Sequence, residues 1–288
     1  RCGTEPAGAR FDGSWALEVR EPASPLARTR ATDSKTAVRS ARKALAAARR
    51  RTATIRAARV VIACGGDSER ICRLFGVPHL AEEPVLCPVG ASIAGAPDAI
   101  GALDGLRAEG SLAIERGGER VWREEGELLF RSYGISGIAA FNLSRRIEPG
   151  DAVLIDLFPR YDRQALHALL DARVKMLGGF SARRPSWFDG LLSPALARLV
   201  CRLYLDRHPG EHSVSPIVGI CKHLELDPSG PTETARAQVR RGGIPLDAVD
   251  LRALSVRDAL GDGLYACGEA LDMDGDCGGY NLAWAWLS

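Results

Sequence analysis

Two short aliphatic runs in this chain stop abruptly at glycine: Val60-Val61-Ile62-Ala63-Cys64 ends at Gly65-Gly66, and Leu264-Tyr265-Ala266-Cys267 ends at Gly268-Glu269. Each reads as a short buried strand, because β-branched and aliphatic residues crowd a stretch too brief for a helix. A strand that runs into glycine presents backbone without Cβ at its end, where a ligand can come within contact distance. The residues between the two runs have a different character, so the pattern predicts one domain split by an insertion. The boundaries read from the sequence are 1–69 and 235–288 for the split α/β domain and 70–234 for the insert.

The insert reads in two parts. Leu112–Arg116 and Arg120–Arg123 flank Gly117-Gly118, a hairpin signal, and Glu127–Phe130 and Ala152–Phe158 follow as further strands, which suits a small barrel or an open sheet. Then the period changes. Leu166, Leu169, Leu170, Val174 and Leu177 recur at helical spacing, as do Leu196, Leu199, Val200, Leu203 and Tyr204 behind Ser193-Pro194, a cap and first helical residue. Ser215-Pro216 opens a third helix with Ile217, Ile220, Cys221 and Leu224 on one face. These helices read as packing elements.

Composition excludes several classes. With 46% hydrophobic and 26% charged residues the chain is globular and can bury a core. Its apolar runs fall far short of the ~18 residues of a membrane-spanning helix, so no membrane partner is expected. Eight cysteines are scattered without a C-x-x-C pair, which points to small buried hydrophobes in a reducing, cytoplasmic setting. No metal is expected either: His208 and His212 are spaced i, i+4, but Pro209-Gly210 between them disfavours a shared helical face. The net charge of +2 conceals a basic segment at 28–59, with about 11 Lys and Arg against Asp33 alone. Its Ala-rich run from Lys35 suits a solvated helix or a poorly ordered excursion, and it lacks the interleaved aromatics that stack nucleic-acid bases, so no nucleic-acid partner is expected. The first residue, Arg1, and the apolar end at Trp284–Ser288 suggest a fragment.

The densest chemical signal is the tail Gly263–Trp286. A strand runs into Gly268-Glu269, an acidic loop through Asp272 follows, and Gly278-Gly279-Tyr280-Asn281-Leu282 leads into an Ala/Trp-rich stretch expected to be a buried helix. Glycines admit close approach, amides at a helix start favour an electron-rich group, and Glu269 and Asp272 can accept hydrogen bonds from sugar-like hydroxyls. Packing within the loop is the competing role for both carboxylates. A calcium loop fails here, because its sixth position is Cys277 and its twelfth Ala283. Gly261–Ala266 matches G-x-G-x-x-A but precedes a strand instead of following one.

Val61–Gly66, Gly126–Phe130 with Gly134–Gly137, Gln238-Val239 with Gly242-Gly243-Ile244, and the tail together resemble the bacterial FAD-dependent family of BaiN-type reductases and aminoacetone oxidase-like flavoproteins. The resemblance covers roughly residues 59–288. It implies a Rossmann-like FAD-binding domain, incomplete here, interrupted by an inserted β-barrel-like plus helical domain. It also implies that Gly65 and Gly66 end the strand beside FAD and that Gly242 and Gly243 lie near the flavin. Gly268, Glu269 and Asp272 would approach its ribityl and phosphate region, and Gly278, Gly279, Tyr280, Asn281 and Leu282 would begin a helix directed at the ring. The implied activity is hydride transfer to or from a small molecule, either an activated C=C or an amine, with NAD(P)H as reductant. No catalytic acid or base is identified. The family's strand–G-x-G-x-x-G–helix is absent from these 288 residues, and this keeps open the alternative of a non-catalytic remnant that no longer binds FAD.

Overall fold

A computed structural model describes residues 4–23, 34–257 and 259–288. The start of the basic segment, 28–33, lies outside the described residues, as does Cys2. The chain forms two compact units. One comprises 1–83, 240–275 and 281–288, the other 84–239 and 276–280. The chain crosses at 83/84 and 239/240, where the sequence suggested 69/70 and 234/235, and again at 275/276 and 280/281, which the sequence did not suggest.

The first unit begins with strands β1 (Glu5–Phe11) and β2 (Trp15–Pro22), helix α1 (Lys35–Ala47) and strand β3 (Arg50–Ala57), the strands forming an antiparallel sheet. Ser34 caps α1 through its hydroxyl, which accepts from Ala37 N at 3.2 Å, and no residue of this helix is buried. Of the two alternatives that the Ala/Arg run allowed, residues 35–47 take the solvated helix. β3 is not expected from the sequence. It pairs with β2 over eight residues, and Arg51 donates to the buried Glu21 at 2.8 Å.

β4 (Val60–Ile62), α2 (Glu69–Phe75) and β5 (Leu80–Val85) follow. The chain returns through β12 (Val239–Gly243), which pairs with β5, then β13 (Val249–Asp250), β14 (Ser255–Val256), β15 (Leu264–Ala266) and α7 (Tyr280–Leu287). Residues 60–62 and 264–266, the two runs that stop at glycine, are parallel neighbours in register, Val60 with Leu264 and Ile62 with Ala266. Trp15, Ile62, Phe75, Ile244, Leu264 and Leu271 form the core beneath them. Trp15 is wholly buried, and its indole N–H is satisfied by Asp262 O at 2.8 Å.

The second unit is built on β6 (Val89–Ile93), β7 (Arg107–Arg116), β8 (Glu119–Arg131), β9 (Gly134–Ser136), α3 (Ile138–Ser144), β10 (Ala152–Asp156), α4 (Arg163–Leu177), α5 (Pro194–Arg207), α6 (Ser215–Lys222) and β11 (Leu224–Pro231). Its six strands close into a barrel in the order β10-β11-β6-β9-β8-β7. Closure leaves no unpaired edge, and alternate residues such as Leu112, Ile114, Phe130, Val153 and Ile155 fill the interior. The β7–β8 hairpin turns on Gly117-Gly118, both at positive φ, as a two-residue turn of this hand requires.

Helices α4 to α6 cover the barrel with a core that includes Trp187, Phe188 and Tyr204. Ser193 caps α5 with Pro194 at its first position, as the sequence indicated. One expectation is corrected: Leu224 does not continue α6. That helix stops at Lys222, whose ammonium is tied to Asp156 at 2.6 Å, and Leu224 starts β11 opposite Ile155.

Candidate functional site

The carboxyl ends of β4 and β15 lie side by side, with Cys267 N donating to Ile62 O at 3.0 Å. Ends of adjacent parallel strands are where α/β sheets receive ligands. Gly65 follows at φ +72°, and a Cβ built there would meet only Glu269 Oε2 at 3.9 Å. Space is therefore open above it. Gly66 is more crowded, since a Cβ would fall 2.7 Å from the Arg240 side chain.

The loop after Gly66 is held by a residue that the sequence reading missed. Glu82 accepts from Ser68 N and Ser68 Oγ, both at 2.7 Å, from the Asp67 amide, and from the His79 ring at 3.1 Å. Burial alone would raise its carboxyl. The donors around it outweigh burial and bring the pKa down to about 2. No local pattern signals this role, because Glu82 lies fourteen residues beyond the amide that it fixes.

Gly242 and Gly243 are glycines for a reason internal to the protein. At φ +102° a Cβ on Gly242 would stand 2.4 Å from Ala81 O, and one on Gly243 would stand 2.7 Å from Ala270 O. Two carboxylates brace this turn: Glu269 Oε1 accepts from Arg240 N at 2.7 Å, and Asp272 Oδ1 from Gly242 N at 2.9 Å. Gly268 donates to Ser288 Oγ at 2.8 Å and accepts from the Trp284 indole at 3.0 Å.

Gly278 and Gly279 precede α7, and nothing lies within 4 Å of the Cβ position on Gly279. Asn281 brackets Gly275, accepting from its N–H at 2.7 Å and donating to its carbonyl at 2.9 Å. Tyr280 and Leu282 are 66% and 70% exposed, and Trp286 is 88% exposed. The expected buried helix is thus corrected. α7 forms, but Trp284 is its main inward anchor and no residue of it is buried.

The acidic loop is neutralised by arginine. Asp274 meets Arg241 Nε at 3.1 Å, and Asp276 accepts from Arg145 and from Arg146 at 2.7 Å, which hold its carboxyl below the usual range. Asn142, buried on α3, fixes Cys277 N at 2.7 Å. Sequence reading missed Asn142 as well, for its partner is 135 residues away.

A Ser–His–Asp arrangement occurs elsewhere. His167 Nε2 is 2.8 Å from Ser215 Oγ, and its Nδ1 is 2.9 Å from Asp171. All three are solvent-accessible, Ser215 N is engaged by Ser213 Oγ, and Pro216 offers no amide. With neither of these two backbone positions free to stabilise an oxyanion, it reads as a surface tie between α4 and α6.

No family model matches the chain. Its similar proteins are enzymes, and by name oxidoreductive ones. The chain is 28% identical over 252 residues, 80% of its length, to a 3-dehydro-bile acid delta(4,6)-reductase of Clostridium scindens. It is 29% identical over 172 residues to a ribosomal RNA dihydrouridine synthase of Haemophilus influenzae, and 28% over 199 residues to one of Escherichia coli K12. It spans 60% of the reductase's length and 40% and 45% of the synthases'.

The two synthases overturn the exclusion of nucleic acid, since they are named for ribosomal RNA. The absence of aromatics from one basic run was too narrow a ground, because folding can gather cations that lie far apart in sequence. Among the described residues no helix is long and apolar enough to cross a membrane.

Proposed function

We propose that this chain is part of an FAD-dependent reductase that delivers hydride to a carbon–carbon double bond conjugated with a carbonyl. The observation that carries the reading is the reaction shared by the names of its relatives. A delta(4,6)-reductase acts on C=C bonds, and dihydrouridine is uridine with hydrogen added across the C=C beside a ring carbonyl. This favours C=C reduction over amine oxidation.

The residues fit a flavin at the ends of the two parallel strands, in an incomplete Rossmann-like domain. Gly65 leaves room for backbone approach, and Gly66, Gly268 and Glu269 border the same strand ends. Gly242, Gly243 and Asp272 shape the adjoining turn. Gly279 leaves the entry to α7 open, with Gly278 packed beside the Tyr280 ring, and the first amides of that helix, at Tyr280, Asn281 and Leu282, favour negative charge by roughly 0.3–1 kcal/mol. When bound, FAD supplies the two-electron hydride chemistry, and NAD(P)H is the proposed reductant.

The test is FAD stoichiometry after desalting in the wild type and in Gly279→Val. A β-branched side chain at φ +95° fills the open entry and should reduce bound flavin several-fold while the far-ultraviolet circular dichroism is unchanged. Equal flavin content in both would remove Gly279 from the site.

A further inference from the structure

The outer face of the barrel carries a pocket of about 350 Å³ beside the start of α4. Strand register explains its floor. Leu112 and Ile114 point into the barrel, so Ser111 and Ala113 face out. β10 sets Leu154 beside Ala113 and Asp156 beside Ser111, while β8 sets Arg123 on the other side of Ala113. Small side chains in the middle strand leave the hollow. Pro159–Arg163 forms one wall and Lys222-His223 the other.

The charges lining the pocket have different duties. Lys222 is engaged by Asp156 at 2.6 Å and by the carbonyls of Phe158 and Tyr161, so it holds the wall. Asp162 caps α4 by accepting from Ala165 N at 2.7 Å. Arg123 donates to Ser111 Oγ at 3.2 Å and meets the exposed Glu125. Arg120 is 3.8 Å from Glu115, and Arg163 is in no ion pair among the described residues. His223 senses the result. Burial, then Arg163 and Arg120, hold its imidazole below the ordinary range against the opposing pull of Glu115 and Asp156.

We propose that this pocket binds a phosphate group, with Arg120, Arg123 and Arg163 as its cations and Ser111 and His223 as further hydrogen-bonding partners. Guanidinium forks match phosphate oxygens, and three of them around a hollow floored by small residues suit a tetrahedral anion better than a carboxylate. The phosphate belongs either to an RNA backbone or to a mononucleotide. Only the RNA source rests on the reductase reading; the pocket itself needs neither flavin nor hydride transfer.

The experiment uses the full chain without added FAD. Anisotropy of a labelled uridine-rich 12-nucleotide RNA is measured against salt, and the His223 imidazole is followed by NMR during titration with 5′-UMP and with inorganic phosphate. In Arg120→Ala/Arg123→Ala/Arg163→Ala, RNA affinity should fall at least tenfold, and the slope of log affinity on log salt should shrink by ~0.7, the amount for one lost phosphate contact. The single variant Arg163→Ala, which breaks no ion pair among the described residues, should lose roughly threefold, and Arg183→Ala, exposed and outside the pocket lining, should lose nothing. If UMP and phosphate shift His223 while RNA neither binds nor competes, the site stands with a mononucleotide as its source. If no probe shifts His223 and the triple variant binds RNA as the wild type does, the proposal is overturned. A chain that retains flavin in the separate desalting assay but ignores all three probes removes the pocket and leaves the reductase reading intact; a chain that binds them but retains no flavin does the reverse.

Discussion

Glu82→Gln should abolish most of the acid sensitivity of the loop that follows β4. The Glu82 side chain is 7% exposed and gathers the amides of Asp67 and Ser68, the Ser68 hydroxyl and the His79 ring. Its pKa falls from 4.5 to about 2, which by linkage amounts to about 3 kcal/mol. Because the folded value is the depressed one, this stabilisation is complete above the unfolded pKa and is lost as pH falls from about 4.5 toward 2. Glutamine keeps one acceptor oxygen but turns an amide N–H₂ toward the remaining donors. It should cost about 2–3 kcal/mol at neutral pH and flatten the profile below pH 5. The assay is hydrogen exchange of the segment 64–78, corrected for intrinsic rates, in both proteins across that range. Asp12 and Asp250, whose carboxyls are also lowered, are common to both and cancel in the difference. Parallel profiles in wild type and variant would refute the reasoning.

Three shorter predictions follow from neighbouring contacts. Gly242→Ala places a Cβ 2.4 Å from Ala81 O at φ +102° and should destabilise the first unit by about 2–3 kcal/mol in urea denaturation. Asp272→Ala removes the acceptor of Gly242 N–H and should cost about 1–2 kcal/mol, with flavin affinity falling in proportion to stability and not beyond it. A thiol reagent should modify Cys64 in the folded protein, slowly because desolvation raises its thiol, while Cys72, Cys87, Cys201 and Cys221 react only on unfolding, as peptide mapping would show.

The strands that stop at glycine were legible because aliphatic runs and backbone without Cβ are local signals. The β7–β8 hairpin was legible for the same reason, through Gly117-Gly118. Barrel closure was not, since it depends on β11 reaching β6 across more than a hundred residues. β3 was hidden by its arginines; only the eight-residue register with β2 makes Arg50–Ala57 a strand. The composition of α7 announced a helix, but burial depends on what covers a surface, and its Trp286 side stays open.

The glycines of the site could be read from sequence, yet their duties separate only in three dimensions. Gly242 and Gly243 accommodate the protein's own carbonyls, whereas Gly65 and Gly279 leave free space. Glu269 and Asp272 first serve backbone amides, the packing role the sequence left open for them. Glu82 and Asn142 carry no sequence signal, because their partners become neighbours only on folding.

The most direct test of the central claim is the visible absorption spectrum of the purified chain after incubation with FAD and desalting, followed by anaerobic addition of NAD(P)H. Retained bands near ~375 and ~450 nm that bleach on reduction are the expected result. A folded, colourless chain would contradict the claim and favour a remnant that holds no flavin.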